Sequence, residues 1–225
     1  MSKGMQLAFI AICCALLAWM FKPWAWLFLW IGGSFFVVSL GYFGAGARVF
    51  GKDRGVIPIS RLVLLWPYFS VTYLLFFLQT FLSREPACNE ISPGVWLGRR
   101  LKPSELPPGV SVVVDMTAEF AEHSELRHLP GYRCLPTLDG SVPQVEELAA
   151  LVEQLAAEPG AILIHCALGH GRSAMAVASL LMRRRLAASI GEAEVVIKRS
   201  RPGARLSSQQ RRTAEAAAIA EEKSG

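Results

Sequence analysis

Three uncharged stretches dominate the first third of the chain: residues 5–21 (MQLAFIAICCALLAWMF), 24–43 (WAWLFLWIGGSFFVVSLGYF) and 62–82 (LVLLWPYFSVTYLLFFLQTFL). Runs of this kind belong in a large core or in a bilayer, and each is about long enough to cross a hydrocarbon layer of roughly 30 Å. Only Lys22-Pro23 separates the first two. Trp24, Trp26, Trp66, Tyr68 and Tyr73 supply aromatics suited to the membrane–water boundary. A cleaved leader does not account for 5–21, because no small-residue cleavage site follows it and further apolar spans do. Pro67 falls inside the third stretch and predicts a kink, tolerable where neighbouring helices satisfy the freed backbone groups. The expectation is an all-α transmembrane region of about three helices over residues 1–84, multi-pass, with a lipid bilayer as its partner.

Charge follows the same division. Up to Leu82 the bases are Lys3, Lys22, Arg48, Lys52, Arg54 and Arg61, against Asp53 alone. The totals of 23 basic and 18 acidic residues leave 17 of each beyond Leu82. The basic excess therefore sits on loops beside apolar spans, which argues for a bilayer face and against nucleic acid. With three spans, Lys3, Arg48, Lys52, Arg54 and Arg61 lie on one side. Lys22, Arg84, Arg99, Arg100 and Lys102 lie on the other, so loop charge gives a tie. The cysteines (Cys13, Cys14, Cys88, Cys134, Cys166) are irregularly spaced and form no C-x-x-C pair, unlike a disulfide framework or a zinc site. His123 and His128 lack a further ligand type at metal spacing, so no metal is expected. A reactive thiol without protective disulfides places the C-terminal part in the cytoplasm.

Residues 85–225 have the mixed composition of an α/β domain, with a central sheet flanked by helices. Val110 to Val114 is a β-branched run that predicts a buried strand. Ser141-Val-Pro-Gln144 reads as a capping box opening a helix through PQVEELAALVEQLAAE, whose apolar positions follow helical spacing. Ala161 to Ile164 predicts a second buried strand. Helices follow over Ser173 to about Ala188, Glu192 to Arg199, and from the capping box Ser207-Ser-Gln-Gln210 to about Glu222.

Between the second strand and its helix stands HCALGHGRS, His165 to Ser173. Loop N–H groups at a strand-to-helix turn can converge on an anion, and the helix adds its positive end. Gly169 and Gly171 let the loop curl without side chains in the way. Arg172 is placed to grip two oxygens with its planar fork. The same positive field lowers a thiol pKa, making Cys166 a thiolate. Ser173 can donate to the sulfur as it leaves. A thiolate, N–H donors and a guanidinium in one loop form a device for attacking phosphorus.

His165-Cys166-x5-Arg172-Ser173 resembles the signature of the cysteine-dependent protein tyrosine phosphatases, and the short domain is similar to their dual-specificity branch. Val95-Trp96-Leu97-Gly98, Val112 to Met116 and Arg201-Pro202 resemble further segments of that branch. The resemblance covers about residues 88–215 and implies hydrolysis of phosphate monoesters through a phosphocysteine, with no cofactor. It implies a phosphate cradle of Ala167, Leu168, Gly169, His170, Gly171 and Arg172, and a supporting role for His165. It also implies a general acid on an upstream loop, for which Asp139 is the candidate and Asp115 the alternative. Two partners fit: a phosphoprotein, favoured by the lack of lysine in the loop, or a phosphorylated lipid head group such as phosphatidylglycerophosphate or a phosphoinositide, favoured by the membrane tether. A membrane module regulated by the phosphatase is a third reading. The lack of ionisable groups within the spans argues against a transport path.

Overall fold

The computed structural model describes residues 2–220, and the chain divides between Leu82 and Ser83 into two compact units. The expected end of the last helix near Glu222 lies outside the described residues.

In the N-terminal unit, α1 (Lys3–Met20) starts where the Ser2 hydroxyl accepts from the Met5 N–H at 3.3 Å. A short turn through Lys22–Trp24 leads to α2 (Ala25–Leu40), which continues in irregular helical turns to Phe50. The first two helices approach closely at Gly32, where a Cβ would stand 2.9 Å from Cys14 Cβ. Small residues at such crossings allow backbones to pack without large side chains between them.

The third apolar stretch does not form a third span of the same kind. Two helical segments, Lys3–Met20 and Lys22–Phe50, are long and apolar enough to cross a membrane. The third stretch is instead broken into α3 (Ile59–Leu64) and α4 (Trp66–Leu82), the latter 17 residues long. At ~1.5 Å per residue, α4 reaches only about 25 Å. Pro67 is the cause: it has no N–H to donate and its ring collides with the carbonyl one turn back, so the helix interrupts at Leu65. The polar groups released by the break find partners on α2. The Trp30 indole N–H donates to Leu64 O at 3.2 Å, and the Tyr68 N–H donates to Ser34 Oγ at 3.2 Å. Phe35, Phe50, Tyr68 and Phe69 pack their rings around this corner.

The C-terminal unit is built on a five-stranded sheet. Its strands are β1 (Cys88–Ser92), β2 (Val95–Arg99), β3 (Val110–Thr117), β4 (Gly131–Thr137) and β5 (Ala161–Cys166). The order is β1-β2-β5-β3-β4, parallel except for the antiparallel β1–β2 pair. The expected strands at 110–114 and 161–164 are both present and slightly longer.

A short helix α5 (Ser124–Arg127) lies between β3 and β4. The other helices are α6 (Val145–Ala156), α7 (Arg172–Arg183), α8 (Ile190–Ser200) and α9 (Ser208–Ile219). They share one core with Ile162 and Ile164 of β5, and Cys166 belongs to it. Leu163 points the other way, into a smaller cluster with Leu101 and Leu126. Strand alternation thus puts Cys166 on the four-helix side and turns His165 to the opposite side.

Two helix starts differ in how they arise. Ser207 caps α9 as expected, its Oγ accepting from the Gln210 N–H at 3.2 Å while Gln210 Oε1 accepts from the Ser207 N–H at 3.0 Å. Ser141 does not cap α6. Its N–H closes a turn onto Leu138 O at 3.0 Å, and the helix begins later, with Gln144 as the cap and Glu146 and Glu147 in the first turn. In the run Arg183-Arg184-Arg185 the first two are used within the fold: Arg183 pairs with Glu153 and donates to Ala218 O and Ala220 O, and Arg184 donates to Leu155 O and Glu158 O.

Candidate active site

β5 is the central strand, and its carboxyl end lies beside those of the parallel strands β3 and β4, where open α/β sheets gather ligands. Five residues, Ala167 to Gly171, carry the chain from Cys166 to α7. Each of their carbonyls is bonded away from the loop. Ala167 O accepts from the Arg100 N–H at 3.0 Å and His170 O from the Arg205 N–H at 2.9 Å. Leu168 O and Gly169 O accept from Arg201 at 2.9 and 3.0 Å, and Gly171 O accepts from the Met175 N–H at 2.8 Å. A trans peptide points its N–H opposite to its C=O. Carbonyls fixed outward therefore turn the N–H groups of residues 168–172 inward. The Gly169 N–H obeys this, donating to Cys166 Sγ at 3.3 Å. Glycine is required at 169 on two counts, a φ of +76° and a Cβ that would come within 2.6 Å of the Gly98 backbone.

Cys166 Sγ sits buried at the base of the loop and also accepts from the Ser173 hydroxyl at 3.2 Å. Burial pushes the thiol pKa up. The Arg172 guanidinium and the donors from Ser173 and Gly169 outweigh it, and the net shift is downward.

Arg172 is 2% exposed. Its Nη1 donates to Glu119 Oε2 at 2.8 Å and to Thr137 O at 2.7 Å, and its Nη2 donates to Glu119 Oε1 at 2.7 Å. Burial pulls its pKa down, yet the Glu119 carboxylate holds it well above the ordinary arginine value. One edge of the fork is thus fixed by Glu119, which leaves Nε and the rest of Nη2 as the edge available to an anion. Asp139 Oδ1 stands at that edge, 3.4 Å from Nη2, on a side chain 55% exposed in the turn between β4 and α6.

The other acid weighed from the sequence is placed differently. Asp115 is buried at the end of β3, with Oδ1 accepting from the Thr117 N–H and hydroxyl at 2.8 and 2.7 Å. Its Oδ2 accepts from the Tyr132 hydroxyl at 3.1 Å, and burial together with that carboxylate drives the phenol pKa far up. His165, on the face opposite Cys166, pairs through Nε2 with Glu122 at 2.9 Å. Among the described residues, Asp115, Glu122 and His165 are the ones whose donor atoms gather closely enough for a metal ion, within 4.8 Å of one another. Asp115 is already engaged by Thr117 and Tyr132, while Glu122 forms a close, buried ion-pair contact with His165.

His170, in the loop, turns its Nε2 to Glu85 Oε2 at 2.6 Å. Three residues important to this geometry carry little or no mark of that role in the sequence. Glu119 lies just past β3, at the carboxyl end of a parallel strand, which is the one signal that could have marked it. Arg201 is marked in the sequence only within the Arg201-Pro202 segment. Glu85 carried no signal at all.

No protein-family model matches the chain, and no curated protein sequence does. Solved structures do. The chain is similar to Tk-PTP in its active form, at 27% identity over 58% of this chain and 95% of that one, with a TM-score of 0.50. It is similar to a mouse putative dual specificity phosphatase complexed with zinc tungstate, at 21% identity over 60% of this chain and 88% of the other, again at 0.50. The C-terminal unit has the fold of the dual-specificity branch of the cysteine-dependent phosphatases.

Proposed function

We propose that the chain is a membrane-anchored, cysteine-dependent phosphatase that hydrolyses phosphate monoesters, with phosphoproteins as its substrates. The observation that carries this reading is the loop with every carbonyl of 167–171 bonded outward, a sulfur of lowered pKa at its base and a guanidinium edge beside it. Such a cradle fits a tetrahedral dianion.

In the first step the Cys166 thiolate attacks phosphorus while the ester oxygen leaves with a proton from Asp139. The N–H groups of 168–172 and Arg172 hold the non-bridging oxygens, whose charge is greatest at the transition state. In the second step water attacks the phosphocysteine and gives its proton to the Asp139 carboxylate. The P–S bond breaks, and the Ser173 hydroxyl and Gly169 N–H receive the returning thiolate. Asp139 is preferred over Asp115 because it is exposed at the anion-facing edge of Arg172, whereas Asp115 is buried and engaged. No cofactor enters either step.

Loop charge supports a cytoplasmic phosphatase on a two-span reading: Lys22 is then the lone base at the far turn, while Lys3, Arg48, Lys52, Arg54 and Arg61 lie at the near ends, the distribution the positive-inside rule favours. The short passage from α4 to Glu85 also keeps alive a second substrate, a phosphorylated lipid head group.

The test is a panel of phosphotyrosine peptides, phosphoinositides and phosphatidylglycerophosphate, assayed with the full chain and with Cys166→Ser. Preferred turnover of the peptides, abolished in the variant while phosphate still binds, is expected. Turnover surviving above about a tenth in Cys166→Ser would end the phosphocysteine mechanism. Turnover confined to the lipids would replace the substrate.

A further inference from the structure

The convex side of the loop is held by a group the reaction does not use. Glu85 stands in the segment that leads into the C-terminal unit, and its carboxylate reaches three partners. Oε2 meets His170 Nε2 at 2.6 Å and lies 3.6 Å from Arg201 Nη2, while Oε1 accepts from the Gly203 N–H at 3.1 Å. The segment is fixed on both flanks of that carboxylate. The Glu85 N–H donates to Ser83 Oγ at 3.1 Å, and Pro86 O accepts from Arg201 Nη1 at 3.2 Å. Space confirms the fit: a Cβ on Gly203 would collide with Glu85 Oε1 and come within 2.8 Å of His170 Nε2.

These contacts matter because of what they brace. Arg201 donates to two loop carbonyls and is 1% exposed, and the Arg205 N–H donates to a third. Those bonds are what turn the loop N–H groups inward. Glu85 ties the loop, at His170, to the 201–203 turn that makes two of those bonds.

We infer that Glu85 is a positioning residue for the anion loop, acting through His170 and the 201–203 turn, so that the loop's affinity for phosphate depends on the segment that enters the unit. The inference deepens the phosphatase reading, but its first test needs no turnover.

Inorganic phosphate protects Cys166 of the full-length protein from alkylation, and the concentration giving half-protection measures loop affinity. Glu85→Ala is expected to raise it about tenfold, the scale of one charge-assisted hydrogen bond. His170→Ala should do much the same, and the double variant no more than either alone, since both remove one coupling. Glu85→Gln keeps an acceptor for Gly203 but removes the charge, and should lie between, at about threefold. With a phosphatase substrate, Glu85→Ala should raise KM by the same factor while leaving kcat within about twofold. Half-protection within twofold of wild type in both Glu85 variants would overturn the inference, even with a lowered Tm, because the contact would then be structural only. Additive effects of Glu85→Ala and His170→Ala, or no protection of the wild type, would also overturn it. Protection that depends on Glu85 in a protein that hydrolyses no phosphate ester would leave the inference standing and remove the phosphatase reading.

Discussion

Two buried arginines serve the same loop from opposite sides, and their partners differ in kind. Arg172, on the concave side, is held by the Glu119 carboxylate along one edge and presents the other. Arg201, on the convex side, spends its hydrogen bonds on the neutral oxygens of Leu168, Gly169, Pro86 and Asn89, with the Glu85 carboxylate farther off at 3.6 Å. A fork fixed by a carboxylate on one edge keeps direction and charge for a ligand. A fork divided among carbonyls is a brace, setting the orientation of other dipoles. In the proposed reaction the same residue type is chemistry in one place and scaffolding in the other, and the partners distinguish the two.

The largest effect that sharpens this contrast belongs to Asp139, the other group at the concave edge. Asp139→Asn should slow hydrolysis of phosphotyrosine or alkyl phosphate by roughly 10²–10⁴. The loss should be far smaller for an activated aryl phosphate, whose leaving group needs little help from a proton, and the basic limb of the pH–rate profile should flatten. If Asp115→Asn showed that leaving-group dependence instead, the two carboxylates would exchange roles.

Next come the two arginines themselves. Arg172→Lys should lower kcat/KM by about 10²–10³, because a point charge cannot replace two aligned donors. Arg201→Lys should lower it only about tenfold, mainly through KM, while reducing Tm more than the first variant does. Equal kinetic losses in the two would collapse the distinction between ligand-facing and bracing forks.

The smallest effect is a pH dependence of stability on the convex side. Burial pushes the Glu85 pKa up, but His170, Arg201 and the Gly203 N–H outweigh it and hold the carboxylate below the usual glutamate range. A depressed carboxylate contributes stability above its unfolded pKa, and that contribution fades as pH falls through the folded one. The Tm advantage of wild type over Glu85→Gln should therefore be full at neutral pH and shrink as pH falls through and below the usual glutamate range. An advantage constant over that range would show that Glu85 is not held as an anion.

Much of the concave side was legible in the chain because it is local. Cys166, the two glycines, Arg172 and Ser173 are consecutive, so spacing alone implied their convergence. The braces were not legible, since Arg100, Glu119 and Arg201 come from distant segments that only the sheet order assembles. Strands β1 and β4 also escaped notice. They lie at the sheet edges, lack the long buried run of β3, and in β4 carry Pro136. The apolar region misled in a specific way. Composition marked 62–82 as one span, but Pro67 divides it, and whether a proline bends or breaks a helix depends on what stands beside it.

That broken corner has a bearing on how the protein is made. Leu64 O and the Tyr68 N–H are satisfied by Trp30 and Ser34, so the bend is stable only once α2 has arrived against it. Before that docking, an apolar setting leaves two backbone groups exposed at a cost of several kcal/mol. The helices that follow thus have no settled direction of their own, and the order of synthesis, α2 before α3 and α4, is also the order in which their geometry becomes possible. Ser34→Ala or Trp30→Phe would act as an assembly defect, seen in the yield of folded protein rather than in the chemistry of Cys166.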